Sequence, residues 1–242
     1  MDVLTIERDK IEAPVITCVH CDLGTMAFCA GLSTQQFRRF RTILGQASID
    51  TGMTIFREGD QAQNLYTITA GAVKLYKLLS DGRRQITSFL FPGDFFGMTI
   101  NDNYAYTAET MSPVVVCRFP RRKLEALFEE LPLLEKKLLG ATTQGLAAAQ
   151  EQMLLLGRKT ARERVASFLV MLRRRLCGSG ERVCLFALPM SRSDIADFLG
   201  LTIETVSRTL TALKRDGLIA LPDANHVAIQ RLDELLHIAE GG

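Results

Sequence analysis

Short β-rich runs alternate with turn signals between Gly52 and Phe119. The runs are Leu65–Thr69, Val73–Leu79, Gln85–Phe91 and Val114–Phe119. Glycines, several of them beside an aspartate, separate the runs at intervals of about eleven or twelve residues. No helical pattern lies between one run and the next, which argues against a βαβ arrangement. The spacing predicts an antiparallel, jelly-roll-like β-roll.

After Pro120 the pattern changes to that of helices. A short amphipathic helix is predicted over Leu124–Leu131, and Pro132 suits the first turn of the helix that follows. In that helix apolar and small residues recur at spacings of three and four, as in a heptad seam. The seam consists of Leu139, Thr142, Leu146, Ala149, Met153 and Leu156. A helix of about 25 residues spans roughly 37 Å, which is longer than a helix needs to be to cover one side of the β-roll. The seam therefore favours a homodimer, and packing on the chain's own β-roll is the alternative.

The C-terminal part predicts a helix-turn-helix. An amphipathic helix from about Thr160 to Leu176 comes first. Ser191 or Ser193 can then cap a helix that Gly200 ends, and Thr202 can cap the next one. A small residue where the two helices cross and a glycine at the turn are typical of this motif. Two further runs, Leu218–Leu221 and Val227–Ile229, flank a turn signal and predict a two-stranded wing.

Polar side chains near the start of the second helix suit base recognition. Arginine can pair with guanine, glutamate can accept from cytosine N4, and serine can donate or accept. The candidate DNA contacts are Glu204, Ser207 and Arg208 on one exposed face, with Thr202 and Arg192 at the helix starts. The inner face is expected to be filled by Ile203, Val206 and Leu210. Ordinary exposed helical charge is the alternative.

Charge is distributed unevenly along the 242 residues, although the formal net charge is only +2. Residues 157–217 hold twelve lysines and arginines and six acidic residues, a net charge of +6, and the rest of the chain carries −4. A basic region on an otherwise acidic chain is typical of nucleic-acid binding. A solvated helical face is the alternative, since Arg173–Arg175 lie in a helical pattern.

Several classes of protein are disfavoured. No run of about 18 apolar residues predicts a membrane span, and the N-terminus lacks the pattern of a secretory signal. We therefore expect a cytoplasmic protein. The three histidines, His20, His226 and His237, lie outside the predicted β-roll, and we find neither a nucleophile–base pair nor a P-loop. An enzyme is not expected.

Four of the six cysteines form a pattern that suits metal binding. Cys18 and Cys21 make a C-x-x-C pair, Cys29 follows after seven residues, and Cys117 ends an apolar run. Thiolates are preferred ligands of iron–sulfur clusters, and four of them complete the protein shell of a [4Fe-4S] cluster.

Each cysteine also has a simpler interpretation. Cys117 alone could be a core thiol, and a C-x-x-C pair could be a redox dithiol or half of a zinc site. Without an export signal, reduced thiols or metal ligands are expected rather than disulfides. Cys177 and Cys184 are treated as structural.

Taken together, the glycine-punctuated β-roll, the long helix and the winged helix-turn-helix resemble the CRP/FNR family of transcription regulators over about residues 18–230. Glu204, Ser207 and Arg208 match the DNA-reading triplet of the FNR branch. The resemblance implies an α+β chain with a cluster-binding segment at 1–30, a sensory β-roll at 31–130, a dimerisation helix at 131–157 and a DNA-binding domain at 158–242.

The resemblance also implies a function. It predicts a regulator of anaerobic or microaerobic genes, expected to act as an activator, that binds a palindromic, FNR-box-like DNA site as a homodimer. Repression at some promoters is equally compatible with the sequence. RNA polymerase would contact the hairpin around Ser80–Arg84. The cysteines resemble those of FNR oxygen sensors, with the longer gap of the FnrN type in place of the enteric one. Cys18, Cys21, Cys29 and Cys117 would hold an oxygen-labile [4Fe-4S] cluster that promotes dimerisation.

The signal that the β-roll senses could differ within this family. The cyclic-AMP branch places a glutamate after the Phe-Gly turn and an arginine further on. Here Met98 follows Gly97, and no lysine or arginine occurs from Gln85 to Cys117, so a buried phosphate would have no cation partner there. A cyclic nucleotide is not expected. Structural zinc, haem or another small effector remain alternatives to the cluster.

Overall fold

The computed structural model describes residues 23–177 and 184–242. Eight strands build an N-terminal β-roll from two antiparallel four-stranded sheets, with the orders β1-β8-β3-β6 and β2-β7-β4-β5. The strands are β1 Gly45–Ile49, β2 Thr54–Phe56, β3 Asn64–Ala70, β4 Val73–Leu78, β5 Arg84–Leu90, β6 Phe95–Phe96, β7 Thr107–Thr110 and β8 Val114–Pro120. The four runs predicted from the sequence are β3, β4, β5 and β8, so the jelly-roll-like fold is confirmed.

The helices include the five that were predicted, in the predicted order. They are α1 Thr34–Arg41, α2 Arg121–Phe128, α3 Pro132–Arg158, α4 Ala161–Leu176, α5 Arg192–Leu199, α6 Ile203–Arg215 and α7 Leu232–Ala239. Pro132 occupies the first turn of the long helix α3. At the start of α4, the Thr160 side chain accepts from the Glu163 backbone N–H and the Glu163 side chain accepts from the Thr160 N–H, a capping box that satisfies two otherwise unpaired donors.

The interior of the β-roll is filled by aromatic and aliphatic side chains. The rings of Phe56 and Tyr104 stack with their centroids 3.6 Å apart. Tyr66 and Phe96 lie in the same cluster, with ring centroids 5.2 Å apart. The Tyr104 hydroxyl donates to the Asn64 carbonyl at 2.7 Å, so its polar atom is satisfied inside the core.

The wing differs from the prediction. Strands β10 Ile219–Ala220 and β11 His226–Ile229 pair as expected. A further strand, β9 Cys184–Ala187, pairs with the other edge of β11, so the sheet has three strands rather than two. Helices α1 and α7 and strands β1, β2, β6 and β7 were not predicted.

Cys177 and Cys184 form a disulfide, with a Cα–Cα distance of 6.2 Å. The expectation of reduced thiols is wrong for this pair. The cause is the pairing of β9 with β11, which brings the first residue of β9 back to the end of α4. Among residues 23–177 and 184–242, no helix combines the length and apolar character that crossing a membrane requires.

One apolar cluster, separate from the interior of the β-roll, joins the β-roll to the C-terminal domain. Phe89 of β5 lies against Phe168 of α4 and Phe198 of α5, at ring-centroid distances of 6.0 and 5.0 Å. Ile86 and Phe89 belong to the same buried cluster as the helix-turn-helix residues Val206 and Leu210. The DNA-binding domain is therefore packed on the outer face of the sheet that contains β4 and β5.

Candidate DNA interface and thiol site

Local sequence signals set the geometry of the helix-turn-helix. The Ser191 side chain accepts from the Asp194 N–H and caps α5, and the Thr202 side chain accepts from the Thr205 N–H and caps α6. Gly200 ends α5 with a left-handed φ of +61°, a conformation that costs glycine little. Both predicted caps and the predicted turn are confirmed.

The three candidate base-reading side chains lie exposed on α6. Glu204, Ser207 and Arg208 all face solvent in the first half of the helix. The Glu204 carboxylate accepts from its own backbone N–H and from the Thr202 hydroxyl, and Arg208 lies nearby; these interactions hold the pKa of Glu204 below its ordinary value. At neutral pH the helix therefore presents an ionised acceptor beside a cationic donor.

The buried face of α6 begins later along the helix than predicted. Val206 and Leu210 are buried as expected, together with Leu213. Ile203 is 45% exposed, so its predicted place in the core is wrong. It occupies the first turn of α6, before the stripe of Val206, Leu210 and Leu213 begins.

The other two candidate contacts have structural partners. The Thr202 hydroxyl forms a 3.0 Å hydrogen bond with the Thr205 hydroxyl in addition to its capping bond. Arg192 is half-buried and donates to the Ala224 carbonyl in the wing at 3.3 Å. Burial lowers the pKa of Arg192. This guanidinium ties the start of α5 to the wing, and its contact with DNA stays a prediction.

Long helix α3 presents apolar side chains to solvent at intervals of one heptad. Leu139, Leu146 and Met153 are 66%, 61% and 71% exposed. Ala149, between the last two, is also exposed. Leu156 differs, because it is half-buried beside Gly200 in the helix-turn-helix. Large exposed apolar side chains in one row mark a surface that another molecule covers.

Two of the four candidate metal-binding thiols lie within the described part of the chain. Cys29 and Cys117 are both half-buried and pack against the same apolar cluster. Phe28 precedes Cys29, and Phe119 lies on the same face of β8 as Cys117; the two rings are 5.8 Å apart. The fold thus carries the Cys29 segment to the Cys117 face of the β-roll. Cys18 and Cys21 lie outside the described residues.

Long helix α3 also contacts the Cys29 segment. The Lys137 ammonium donates to the Ala27 carbonyl at 2.9 Å. Partial burial lowers the pKa of Lys137, and the Cys29 sulfur acts on that pKa in the opposite direction. A Cβ atom on Gly31 would lie 3.4 Å from the Leu133 side chain. Segment and helix are therefore packed together.

The structure also shows charged residues that the sequence did not single out. Lys74 of β4 and Arg84 of β5 form ion pairs with Asp194 of α5, across the boundary between the β-roll and the DNA-binding domain. The available signal was the lack of polar alternation in β4, a strand buried on both faces over Val73–Tyr76. Such a run indicates cover on both sides.

Comparison with known proteins covers both domains. Residues 46–131 match the family model of the cyclic nucleotide-binding domain, and residues 163–238 match that of the Crp-like helix-turn-helix domain. The chain is 41% identical to the nitrogen fixation regulation protein FixK of Bradyrhizobium diazoefficiens, over 84% of this chain and 86% of that protein. It is 37% identical to the transcriptional activator protein FnrL of Cereibacter sphaeroides, over 94% of each.

A solved structure has the same fold. The structure of FixK2 from Bradyrhizobium japonicum superposes with a TM-score of 0.76 at 40% identity, covering 81% of this chain and 97% of that one. The similarity extends across the β-roll, the long helix and the helix-turn-helix.

Proposed function

The chain belongs to the CRP/FNR family of DNA-binding transcription regulators, and we propose that it is a cytoplasmic, oxygen-responsive activator of anaerobic or microaerobic genes. The observation that carries the oxygen response is the convergence of Cys29 and Cys117 on one apolar cluster. Two similar proteins, the nitrogen fixation regulation protein FixK and the transcriptional activator protein FnrL, support activation as its role.

DNA reading is assigned to the exposed face of α6. Arg208 suits guanine, Glu204 suits the cytosine amino group, and Ser207 can donate or accept. Their position at the N-terminal end of the second helix is where helix-turn-helix proteins meet base edges. Because Thr202 caps this helix, its start is held in one conformation when it enters the major groove.

A second copy of the chain is the proposed cover for the exposed row on α3. Leu139, Leu146 and Met153 repeat every seven residues, as a coiled-coil seam requires, and Ala149 allows close approach. Two copies joined along α3 would present two recognition helices. Such a dimer reads a palindrome, here an FNR-box-like site.

The donor set fits a [4Fe-4S] cluster. Cys29 and Cys117 supply two thiolates from one face of the β-roll, and Cys18 and Cys21 are proposed as the other two. When bound, the cluster would supply an oxygen-labile link among the four thiolates. Lys137 holds the backbone of the Cys29 segment against α3, so the order of that segment is coupled to the helix through which the dimer forms.

The tip of the β4–β5 hairpin is the proposed contact with RNA polymerase. Leu78 and Leu79, just before the turn, are 59% and 50% exposed. The turn itself is held by the Leu79 N–H, which donates to the Arg83 carbonyl at 2.8 Å. An exposed apolar tip on an ordered hairpin suits a protein partner.

Replacement of single cysteines tests the ligand set. Cys29→Ser and Cys117→Ser proteins, purified without oxygen, should lose most of their iron, acid-labile sulfide and visible absorption. Cys177→Ser is the matched control and should retain them. Full iron and sulfide content in Cys117→Ser would remove that residue from the set. Wild-type protein that is colourless, or that carries zinc or haem instead, would overturn the cluster.

A further inference from the structure

A buried lysine links the β-roll to the first helix of the helix-turn-helix. The Lys74 ammonium lies 2.9 Å from Asp194 Oδ1 and 3.0 Å from Glu109 Oε1. The side chains of Lys74 and Asp194 are only 9% and 8% exposed. Charged groups this deeply buried are strongly destabilising when a partner is removed, so this contact strongly favours one docked position of α5.

Asp194 also holds the start of α5 together. Its backbone N–H donates to the Ser191 hydroxyl at 3.0 Å, and its carboxylate accepts from the Ser191 hydroxyl at 2.7 Å. Burial alone would raise the pKa of Asp194, but the hydrogen bonds from Lys74 and Ser191 outweigh it and keep the pKa below its ordinary value. The same carboxylate therefore caps α5 and docks it.

An arginine extends the contact along the helix. Arg84 Nη2 lies 2.8 Å from both Asp194 Oδ1 and Asp197 Oδ2. The neighbouring Gln85 side chain donates to the Asp197 carbonyl at 2.7 Å. Asp197 lies about one turn after Asp194, so the sheet contacts α5 over two successive turns.

The end of α5 is held by the long helix. The Gln152 side chain of α3 donates to the Phe198 carbonyl at 2.7 Å. The Phe198 ring lies 5.0 Å from that of Phe89 in β5. Thus α5 is fixed at its start by the β-roll and at its end by the helix on which the proposed dimer is built.

We infer that Lys74 and Arg84 are positioning residues for DNA recognition, which set the distance and angle between the two recognition helices of the dimer. Within one chain, α6 follows α5 through the Gly200 turn and packs against it, so holding α5 on the β-roll also holds α6 relative to α3. This inference rests on the proposed dimeric function. It assigns the choice of half-site spacing to residues that do not lie on the DNA-reading face.

Half-site spacing is the readout that separates positioning from general stability. One inserted base pair moves a half-site by about 3.4 Å and turns it by roughly 35°. A rigidly docked dimer tolerates such a change poorly, whereas a dimer with loosely attached reading domains tolerates it better. Loss of folded protein would lower binding to all spacings by the same factor.

The experiment uses the full-length protein without oxygen and without RNA polymerase. Affinity is measured by fluorescence anisotropy on palindromic duplexes with the original spacing and with one base pair inserted or removed. Arg84→Glu is the main variant, since Arg84 and Asp197 are only partly buried. Its preference for the original spacing should shrink by about tenfold, the scale of one lost charge-assisted bond.

A charge swap and a matched control complete the design. Arg84→Glu combined with Asp197→Arg should restore at least part of the spacing preference. Lys77→Glu reverses one positive charge on the neighbouring strand β4, as Arg84→Glu does on β5. It breaks an exposed ion pair with Glu58, in which both partners belong to the β-roll. This variant should therefore leave the spacing preference unchanged. Lys74→Met, checked for folding by circular dichroism, should act in the same direction as Arg84→Glu.

Each possible outcome has a definite meaning. An unchanged spacing preference in Arg84→Glu overturns the inference alone. Tighter binding of the variant to the original site would also overturn it, since docking would then oppose DNA binding. Wild-type protein that binds one half-site as tightly as the palindrome would contradict the proposed dimer itself, and the inference with it.

Discussion

The Lys137 ammonium of the long helix donates a 2.9 Å hydrogen bond to the Ala27 carbonyl, two residues before Cys29. This bond joins the cysteine-bearing segment to the helix whose exposed leucines form the proposed dimer seam. A change in the order of the segment therefore reaches α3, the helix of the proposed dimer, through a direct contact.

Replacing Lys137 should uncouple the Cys29 segment from helix α3. In Lys137→Met the hydrogen bond to Ala27 is lost, and a bond to a charged group contributes about 1.5–3 kcal/mol. We expect the dimer dissociation constant of the oxygen-free protein to rise by about tenfold or more, with iron content unchanged. Analytical ultracentrifugation measures the first quantity and metal analysis the second. Lys136→Met, at an exposed neighbouring position, is the control; an equal effect there would contradict the coupling.

Arg208→Ala should affect one position of the DNA site. A bidentate contact with guanine contributes about 1–3 kcal/mol and specifies its base. The affinity of the variant is measured on the native operator and on a panel of operators with single base-pair substitutions. The variant should bind the native operator more weakly, and it should no longer discriminate between bases at one position. Equal weakening on every sequence would show that Arg208 contacts only phosphate. Arg215→Ala, at the far end of α6, should preserve discrimination at every position.

Gly200→Ala should destabilise the DNA-binding domain. The left-handed φ costs an L-residue roughly 1–2 kcal/mol, and the added Cβ would lie 3.2 Å from the Leu156 side chain. Urea unfolding should show that loss. Gly157→Ala is the control, because its Cβ would meet nothing within 4 Å beyond its chain neighbours and the backbone of its own helix, and alanine favours a helix. An unchanged free energy of unfolding in Gly200→Ala would mean that the turn adopts another backbone conformation without cost.

The Cys177–Cys184 disulfide should stabilise the oxidised protein. Closing this short loop restricts the unfolded chain, an effect of about 2–3 kcal/mol in the chain-entropy model. Cys177→Ser should therefore unfold at lower urea than wild type without reductant, and at the same urea concentration with dithiothreitol. Identical unfolding curves in both conditions would show that the bond contributes nothing to stability.

Local features of the helix-turn-helix were predictable from the sequence. Ser191, Gly200 and Thr202 act through residues no more than five positions away, so their roles follow from the order of residues alone. The strands β3, β4 and β5 were likewise predicted because glycines lie on both sides of their β-rich runs, and β8 was predicted from its own β-rich run before Pro120. The long helix was predicted from its heptad spacing and Pro132.

Contacts between distant parts of the chain were not predictable. Lys74 and Asp194 are 120 positions apart, and only the packing of α5 on the sheet brings them together. The disulfide depends in the same way on the pairing of β9 with β11. The burial of Ile203 was predicted wrongly because the helical period shows which face of α6 is buried, but not where along the helix that burial begins.

We propose that DNA binding by this regulator depends on oxygen through a cluster held by the cysteines. The most direct test measures the affinity of oxygen-free, full-length protein for a palindromic FNR-box-like duplex, before and after exposure to air, while the visible spectrum is recorded. We expect tight binding by a coloured dimer without oxygen, and loss of both colour and tight binding in air. A colourless protein that binds equally tightly in both conditions would contradict it.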